Sequence, residues 1–219
     1  LEFLQNSGAS YWLMWFAAGT IMIASLIAIT KDNLKARLAY STVSQLSYIT
    51  LGVALATSMG VLGAGLHIVM HAMGKITLFM CAGSIYVATK KTNISQMTGL
   101  GKVMPITFGA FFIGSLSIIG LPPLGGSWSK WFLLMGALEA DQWFMMLVLI
   151  FSSLLNIAYL LPIVAKGFFL PQENDLSQKY SESTVLIWLP PAITAMCCII
   201  LFFTAGHLLD FLAPIVLPE

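Results

Sequence analysis

Stretches of about twenty apolar residues, separated by short polar clusters, constrain this chain more than any other feature of it. Tyr11 to Thr30 is the first, Leu38 to Ser58 the second and Val61 to Ala88 the third, with Gln142 to Phe169 and Thr184 to His207 closing the series. About 20 such residues cross the hydrocarbon of a bilayer. No water is present there to satisfy backbone N–H and C=O groups, so the runs are expected as helices. Only 9% of the 219 residues are charged and 58% are hydrophobic, against about 25% charged in a soluble domain. A water-soluble fold of this size cannot hide that much apolar surface, which gives the fold class as an all-α membrane protein.

Between the third run and Gln142 the pattern is less regular. Pro105 suits the first turn of a helix reaching about Gly120, but Leu121-Pro122-Pro123-Leu124-Gly125-Gly126 cannot continue it, because two prolines remove donors and clash with the preceding turn. A second helical piece follows, from about Ser127 to Leu138. These pieces are either two short crossings or one helix broken in the middle. Cytoplasmic loops collect Lys and Arg. With one broken crossing the chain has about six spans, and Lys31, Lys35, Arg37, Lys90, Lys91, Lys102, Lys166 and Lys179 all fall on one side, opposite Glu139 and Asp141. Two crossings would move Lys166 and Lys179 away from the others. The single broken helix is therefore preferred, which puts both ends of the chain on the side opposite the lysines. Gly60 is expected to turn the second run into the third, Pro162 and Pro190-Pro191 to kink the later helices, and the tail from Asp210 to Glu219 to lie at the interface. The sequence opens on Leu1 with no basic segment and cleavage site, so no signal peptide is expected, and the chain reads as a piece of something longer or a processed product.

Several function classes fall away. Ten Lys/Arg against nine Asp/Glu, a net charge of +1, provide no basic face for nucleic acid. Cys81, Cys197 and Cys198 lie in apolar runs without metal spacing and read as small buried hydrophobes. No dinucleotide fingerprint, P-loop, haem pair or iron–sulfur set is present, and no cofactor is expected.

Two constellations remain. His67, His71 and Lys75 lie one turn apart in the third run and drift only about 40° per step, forming one stripe of about 12 Å. A lysine in the middle of such a span costs at least about 2.5 kcal/mol, and nothing structural requires it. Desolvation eases release of a lysine's proton, and histidines one turn apart can pass protons through bridging water, so the functional reading is a proton path. The structural alternative is helix glue, with Lys75 paired to a carboxylate or carbonyl. Two histidines at this spacing also suit zinc, but no carboxylate or thiolate lies nearby in sequence to complete a set. The second constellation is Lys130, one turn into the second piece of the broken helix and flanked by Trp128 and Trp131. Broken helices at membrane depth line cavities and mark ion sites. The alternative is an interfacial lysine in an aromatic belt. Weaker candidates are Lys35, which with Arg37 reads as a positive-inside anchor or by itself as a proton entry reaching down from the lysine-rich side, Glu139 and Asp141 as a way out or a solvated turn, and Ser41, Thr42, Ser44 and Gln45 as water ligands or interhelical bonds.

The segment Asp32-Asn33-Leu34-Lys35-Ala36-Arg37-Leu38-Ala39-Tyr40-Ser41-Thr42-Val43-Ser44-Gln45-Leu46-Ser47-Tyr48 resembles the D-L-K-R-x-L-A-Y-S-[ST]-[IV]-S-Q signature of the antiporter-like subunits of complex I, membrane-bound hydrogenases and Mrp antiporters. His67 to Gly83 resembles their H-x-x-x-H-A-x-x-K stretch, and Met104 to Lys130 their G-L-P-P-x-x-G-F-x-S-K region, with Trp128 in place of the usual Phe. Ser129-Lys130-Trp131 and Gly136 to Ala140 look most like the D-type subunit of Mrp antiporters. Such subunits contain two inverted five-helix repeats. The resemblance implies that residues 1–169 are the second repeat and residues 170–219 a polar loop and last transmembrane helix, with the first repeat missing. It implies proton transfer, with or without sodium, by Lys75 of the central axis, its neighbours His67 and His71, the terminal Lys130 and Lys35 at the mouth. It also implies other membrane subunits as partners, in a bacterial inner (plasma) membrane. The rival readings are a pumping subunit of a complex I-like oxidoreductase or hydrogenase, and a structural scaffold whose lysines are paired and dry. A lipid-modifying enzyme is disfavoured because no carboxylate or serine cluster adjoins the histidines.

Overall fold

The computed structural model describes residues 8–171 and 181–216. Among these residues every regular element is helical, as the demand for internal backbone hydrogen bonds requires. In chain order they are α1 (Ala9–Thr30), α2 (Leu34–Ala54), α3 (Ser58–Thr89), a 3₁₀ turn (Ile94–Gln96), α4 (Leu100–Val103), α5 (Pro105–Ile119), α6 (Gly126–Glu139), α7 (Trp143–Phe169), α8 (Val185–Phe203) and α9 (Ala205–Val216). Helices α1, α3, α7 and α8 are each long and apolar enough to cross a membrane. The helix starts use the expected side chains. Asn33 Oδ1 accepts from Ala36 N at 3.1 Å to cap α2, Thr57 Oγ1 accepts from Gly60 N at 3.2 Å to cap α3, and Pro105 opens α5.

The packing register answers the question of one crossing or two. Along α3, Gly60 meets Gly136, Gly63 meets Leu133, His67 meets Ser129, Met70 meets Gly125, Gly74 meets Ile118, Thr77 meets Gly114 and Ser84 meets Thr107. Numbers rise on one partner as they fall on the other, without a gap at the break. Helices α5 and α6 therefore form one interrupted crossing, antiparallel to α3 over roughly 36 Å at the usual helical rise. The interruption is built by Gly120, which ends α5 at φ 90°, and by the segment to Gly125, which holds a cis Pro122-Pro123 bond.

The lysine-rich loops are tied together at one end. Leu34 N donates to Thr92 O at 2.9 Å and Gly99 N to Lys166 O at 3.1 Å, while Asp32 accepts from Ser95 N at 3.0 Å and Ser95 Oγ at 2.7 Å. Arg37 donates to Lys31 O at 2.8 Å, Tyr159 O at 3.1 Å and Ile29 O at 3.2 Å, binding α1, α2 and α7. At the far end, Glu139 accepts from Met59 N at 3.4 Å. Lys179 and most of the polar loop starting at Pro171 lie outside the described residues.

Two local expectations change. The turn into α3 is made at Ala56, which has φ 53°. Gly60 lies inside the helix, where a β-carbon on the facing Gly136 would come within 2.3 Å of Gly60 N. The last long run stops at Phe203 rather than His207, and most of the tail expected at the interface belongs to α9, in which Leu212 packs on Gly65 of α3. Pro162 lies within α7, and Pro190 and Pro191 within α8.

Candidate proton-transfer axis

Helix α3 places His67, His71 and Lys75 on one stripe facing α2 and α6, and all three are buried. Lys75 Nζ donates to Leu38 O at 3.2 Å and to Ser41 Oγ. Ser41 is also bonded to the Tyr159 hydroxyl at 3.0 Å, and Tyr159 reaches Asn156 Oδ1. Each hydroxyl has one hydrogen, so the bonds can run from Lys75 through Ser41 and Tyr159 to Asn156 Oδ1, or Tyr159 can donate to Ser41 instead, which leaves Asn156 Oδ1, an acceptor only, without that hydrogen.

His67 joins α2 to α6. Its Nε2 lies 3.1 Å from Gln45 Oε1 and its Nδ1 2.9 Å from Ser129 Oγ. Ser129 also donates to Gly126 O at 3.1 Å. With the Ser129 hydroxyl on Gly126, both ring nitrogens face acceptors and suit an imidazolium. Turned toward Nδ1, the same hydroxyl suits the neutral ring. The His67 ring stacks between Tyr48 and His71 at centroid distances of 5.5 and 5.7 Å.

Lys130 is buried on α6 just past the break. Its Nζ donates to Ile119 O at 2.9 Å and to Ser153 Oγ at 3.0 Å, and lies 5.2 Å from the Tyr48 ring centroid. Ile119 is the last residue of α5, so the ammonium sits at the negative end of that half-helix. Gly120 makes this approach possible, since a β-carbon there would lie 2.7 Å from Lys130 Cδ. Lys130 thus lies inside the bundle, whereas Trp128 and Trp131 beside it are exposed.

Among the described residues both lysines are bonded to neutral acceptors alone, with no carboxylate as partner. Between them the hydrogen bonds are interrupted, and of the four buried side-chain atoms without a partner among the described residues, Gln45 Nε2, His71 Nδ1 and Asn156 Nδ2 belong to residues of this group or bonded to it, the fourth being Ser115 Oγ on α5. An unpaired buried polar atom costs about 1–3 kcal/mol, so a set of them in one group calls for bound water.

Lys35 stands apart from this chain of contacts. It is exposed, with its Nζ 5.2 Å from the Tyr86 ring centroid at the lysine-rich end. Glu139 and Asp141 are exposed at the other end and touch none of the axis groups, which favours the solvated-turn reading. Ser41 and Gln45 join the axis, whereas Ser44 bonds Ser25 at 2.8 Å and Ile21 O at 3.1 Å, and Thr42 bonds Leu38 O of its own helix. Ser129, Ser153, Asn156 and Tyr159 are the participants that sequence reasoning passed over. The last three recur at intervals of three on α7, a helical stripe that was legible in principle.

Residues 1–156 match the family described as NADH:quinone oxidoreductase/Mrp antiporter, TM. The chain belongs to this family. It is an integral membrane protein. Over 169 residues it is 42% identical to the N subunit of the NADH-quinone oxidoreductase of Desulforudis audaxviator, an alignment taking in 76% of this chain and 34% of that one. Over 213 residues it is 28% identical to the D subunit of the Na(+)/H(+) antiporter of Alkalihalophilus pseudofirmus, covering 96% of this chain and 43% of the relative. Its fold superposes with a TM-score of 0.86 on a chain of the Mrp complex from Dietzia, at 22% identity, over 98% of this chain and 48% of that one. The chain thus spans between a third and a half of the length of these relatives.

Proposed function

We propose that this chain forms one half of a proton pathway in an antiporter-like membrane subunit. Residues 1–169 act as the second repeat and residues 170–219 as the connecting loop and last helix. Protons enter near Lys35, pass through Lys75, His71 and His67, and reach Lys130 at the broken helix. The observation that carries this reading is the pair of buried lysines bonded to neutral acceptors alone, with orphaned polar atoms in the same group. A neutral acceptor serves a lysine in either charge state, whereas a carboxylate partner would hold the proton in place. It speaks against a scaffold whose lysines are locked in ion pairs, while the bonds to Leu38 O and Ile119 O are also those of the helix-glue reading, so the uptake assay below decides between that reading and transfer. Each lysine has a hydroxyl beside it, and His67 has hydroxyl and amide partners that suit both of its charge states. Water at the orphaned atoms would close the remaining steps.

The missing repeat and other membrane subunits complete the path, in a bacterial inner membrane. Coupling to sodium fits the Na(+)/H(+) antiporter relative, which aligns along nearly the whole chain. Coupling to a redox arm fits the NADH-quinone oxidoreductase relative, with its 42% identity. Proton uptake by proteoliposomes holding the parent assembly distinguishes the two by whether a sodium gradient or quinone reduction drives it. In the same assay Lys75→Ala and Lys130→Ala are each expected to abolish uptake while the assembly forms. Normal uptake in either variant would overturn the assignment.

A further inference from the structure

Beside Lys130 a cavity of about 390 Å³ opens between α6, α7 and the break. This is within the roughly 300–1,000 Å³ range of small-molecule sites. Its walls are apolar, including Ile119, Leu134 and Ile157, apart from Lys130, Ser153 and Ser127. Its rim is formed by Leu121, Trp131, Ile150 and Leu154, which are 41%, 56%, 40% and 54% exposed on the apolar outer surface. An ammonium has three donors. Ile119 O and Ser153 Oγ take two of those of Lys130, leaving one, together with an unbalanced positive charge, at the wall of an apolar cavity. Ser153 cannot neutralise that charge, since its own hydroxyl donates to Leu149 O at 2.9 Å.

We propose that this cavity is a binding site for a single-chain amphiphile with an anionic head, such as a free fatty acid. The head takes the third donor of Lys130, and the chain lies among Leu134, Ile157 and the rim. The positive charge selects the head and the apolar lining selects the body. Access is from the bilayer side, where the rim is exposed. Occupancy stabilises the protonated lysine, because a charge-assisted hydrogen bond to a carboxylate is stronger than one to a hydroxyl. A filled site therefore stops proton release at Lys130. This consequence for transport rests on the proposed pathway, while the binding itself does not.

The test uses the parent assembly in proteoliposomes and a dodecanoate carrying a photoreactive diazirine, with adducts mapped by mass spectrometry. Dodecanesulfonate, which stays anionic and so carries no protons across the bilayer, serves as competitor, and dodecyltrimethylammonium as the control of opposite charge. Adducts are expected on α6 and α7 near Trp131 and Leu154. Labelling should fall at least about tenfold with the sulfonate and stay unchanged with the ammonium. Leu154→Trp, which fills the cavity, should reduce labelling to the same degree without changing uptake in the absence of amphiphile, and Ile150→Trp repeats the test should the first variant fail to assemble. Absent labelling, equal competition by the cation, labelling unaffected by both tryptophans, or adducts confined to another subunit's helix lying over the cavity would overturn the proposal. Anion-competed labelling that persists in Lys130→Ala would overturn the proposal, whereas competed labelling of the parent that is lost in Lys130→Ala, alongside normal uptake in that variant, would sink the pathway and leave the site standing.

Discussion

Helix α3 carries polar residues on two opposite flanks, and they are finished differently. On one flank lie His67, His71 and Lys75. On the other, Thr77 Oγ1 donates to Thr194 Oγ1 at 2.8 Å, and Ser84 bonds Thr107 at 3.1 Å and Ser183 at 2.6 Å. That second flank leads to Glu182, whose carboxylate accepts from Ile106 N at 3.1 Å and from the Thr107 hydroxyl, an anion at the N-terminus of α5. Every one of these groups has a partner. The first flank instead keeps Lys75, and faces Lys130 of α6, without a carboxylate partner among the described residues, and leaves His71 Nδ1 unpaired. Polar groups inside a membrane cost little when they are paired across helices. Those that stay unpaired lower stability, and a role in transfer accounts for their presence.

Substitutions on the two flanks should therefore separate transport from stability. His71→Leu is expected to lower proton uptake at least about tenfold, the low end of what a positioned transfer group loses, while thermal stability holds or rises because an orphaned polar atom is removed. A fall in both would make His71 a packing residue. Tyr159→Phe removes the hydroxyl linking Ser41 to Asn156, so uptake should fall a few-fold and stability by about 1 kcal/mol. Unchanged uptake would take α7 out of the route. Glu182→Ala should show the reverse pattern. Losing a charged cap lowers stability by about 1 kcal/mol, read as a drop in melting temperature, while uptake per assembled complex stays near that of the parent. Ser84→Ala should be the mildest, about 0.6 kcal/mol as for an average interhelical bond, with uptake unchanged. A transport defect in either of these last two would show that the second flank also conducts.

The first flank was legible in the sequence because Lys75 has no other reason to stand in an apolar run, and because Pro122-Pro123 beside Gly125-Gly126 marks a break that no helix survives. The placement of Lys130 followed from the loops, since one-sided lysines require the two pieces to form one crossing. The partners were harder to see. Ser153, Asn156 and Tyr159 lie in a run whose mean character is apolar, and only their threefold spacing betrays a polar stripe. Glu182 sits in a loop where a carboxylate is unremarkable until α5 is seen to begin beside it. The docking of α9 on α3 depends on Leu212 finding Gly65, a tertiary contact with no local signal. Lys35 does not reach down toward Lys75; its side chain lies out by Tyr86.

Lys75 and Thr77 are two residues apart on one helix, both buried, one on each flank. Proton uptake by proteoliposomes of the parent assembly carrying Lys75→Met, measured beside Thr77→Val and scaled to assembled protein, tests the central claim most directly. Loss of uptake in the first with near-normal uptake in the second is the expected result. Equal uptake in the two, or loss in Thr77→Val alone, would contradict a pathway through the lysine flank.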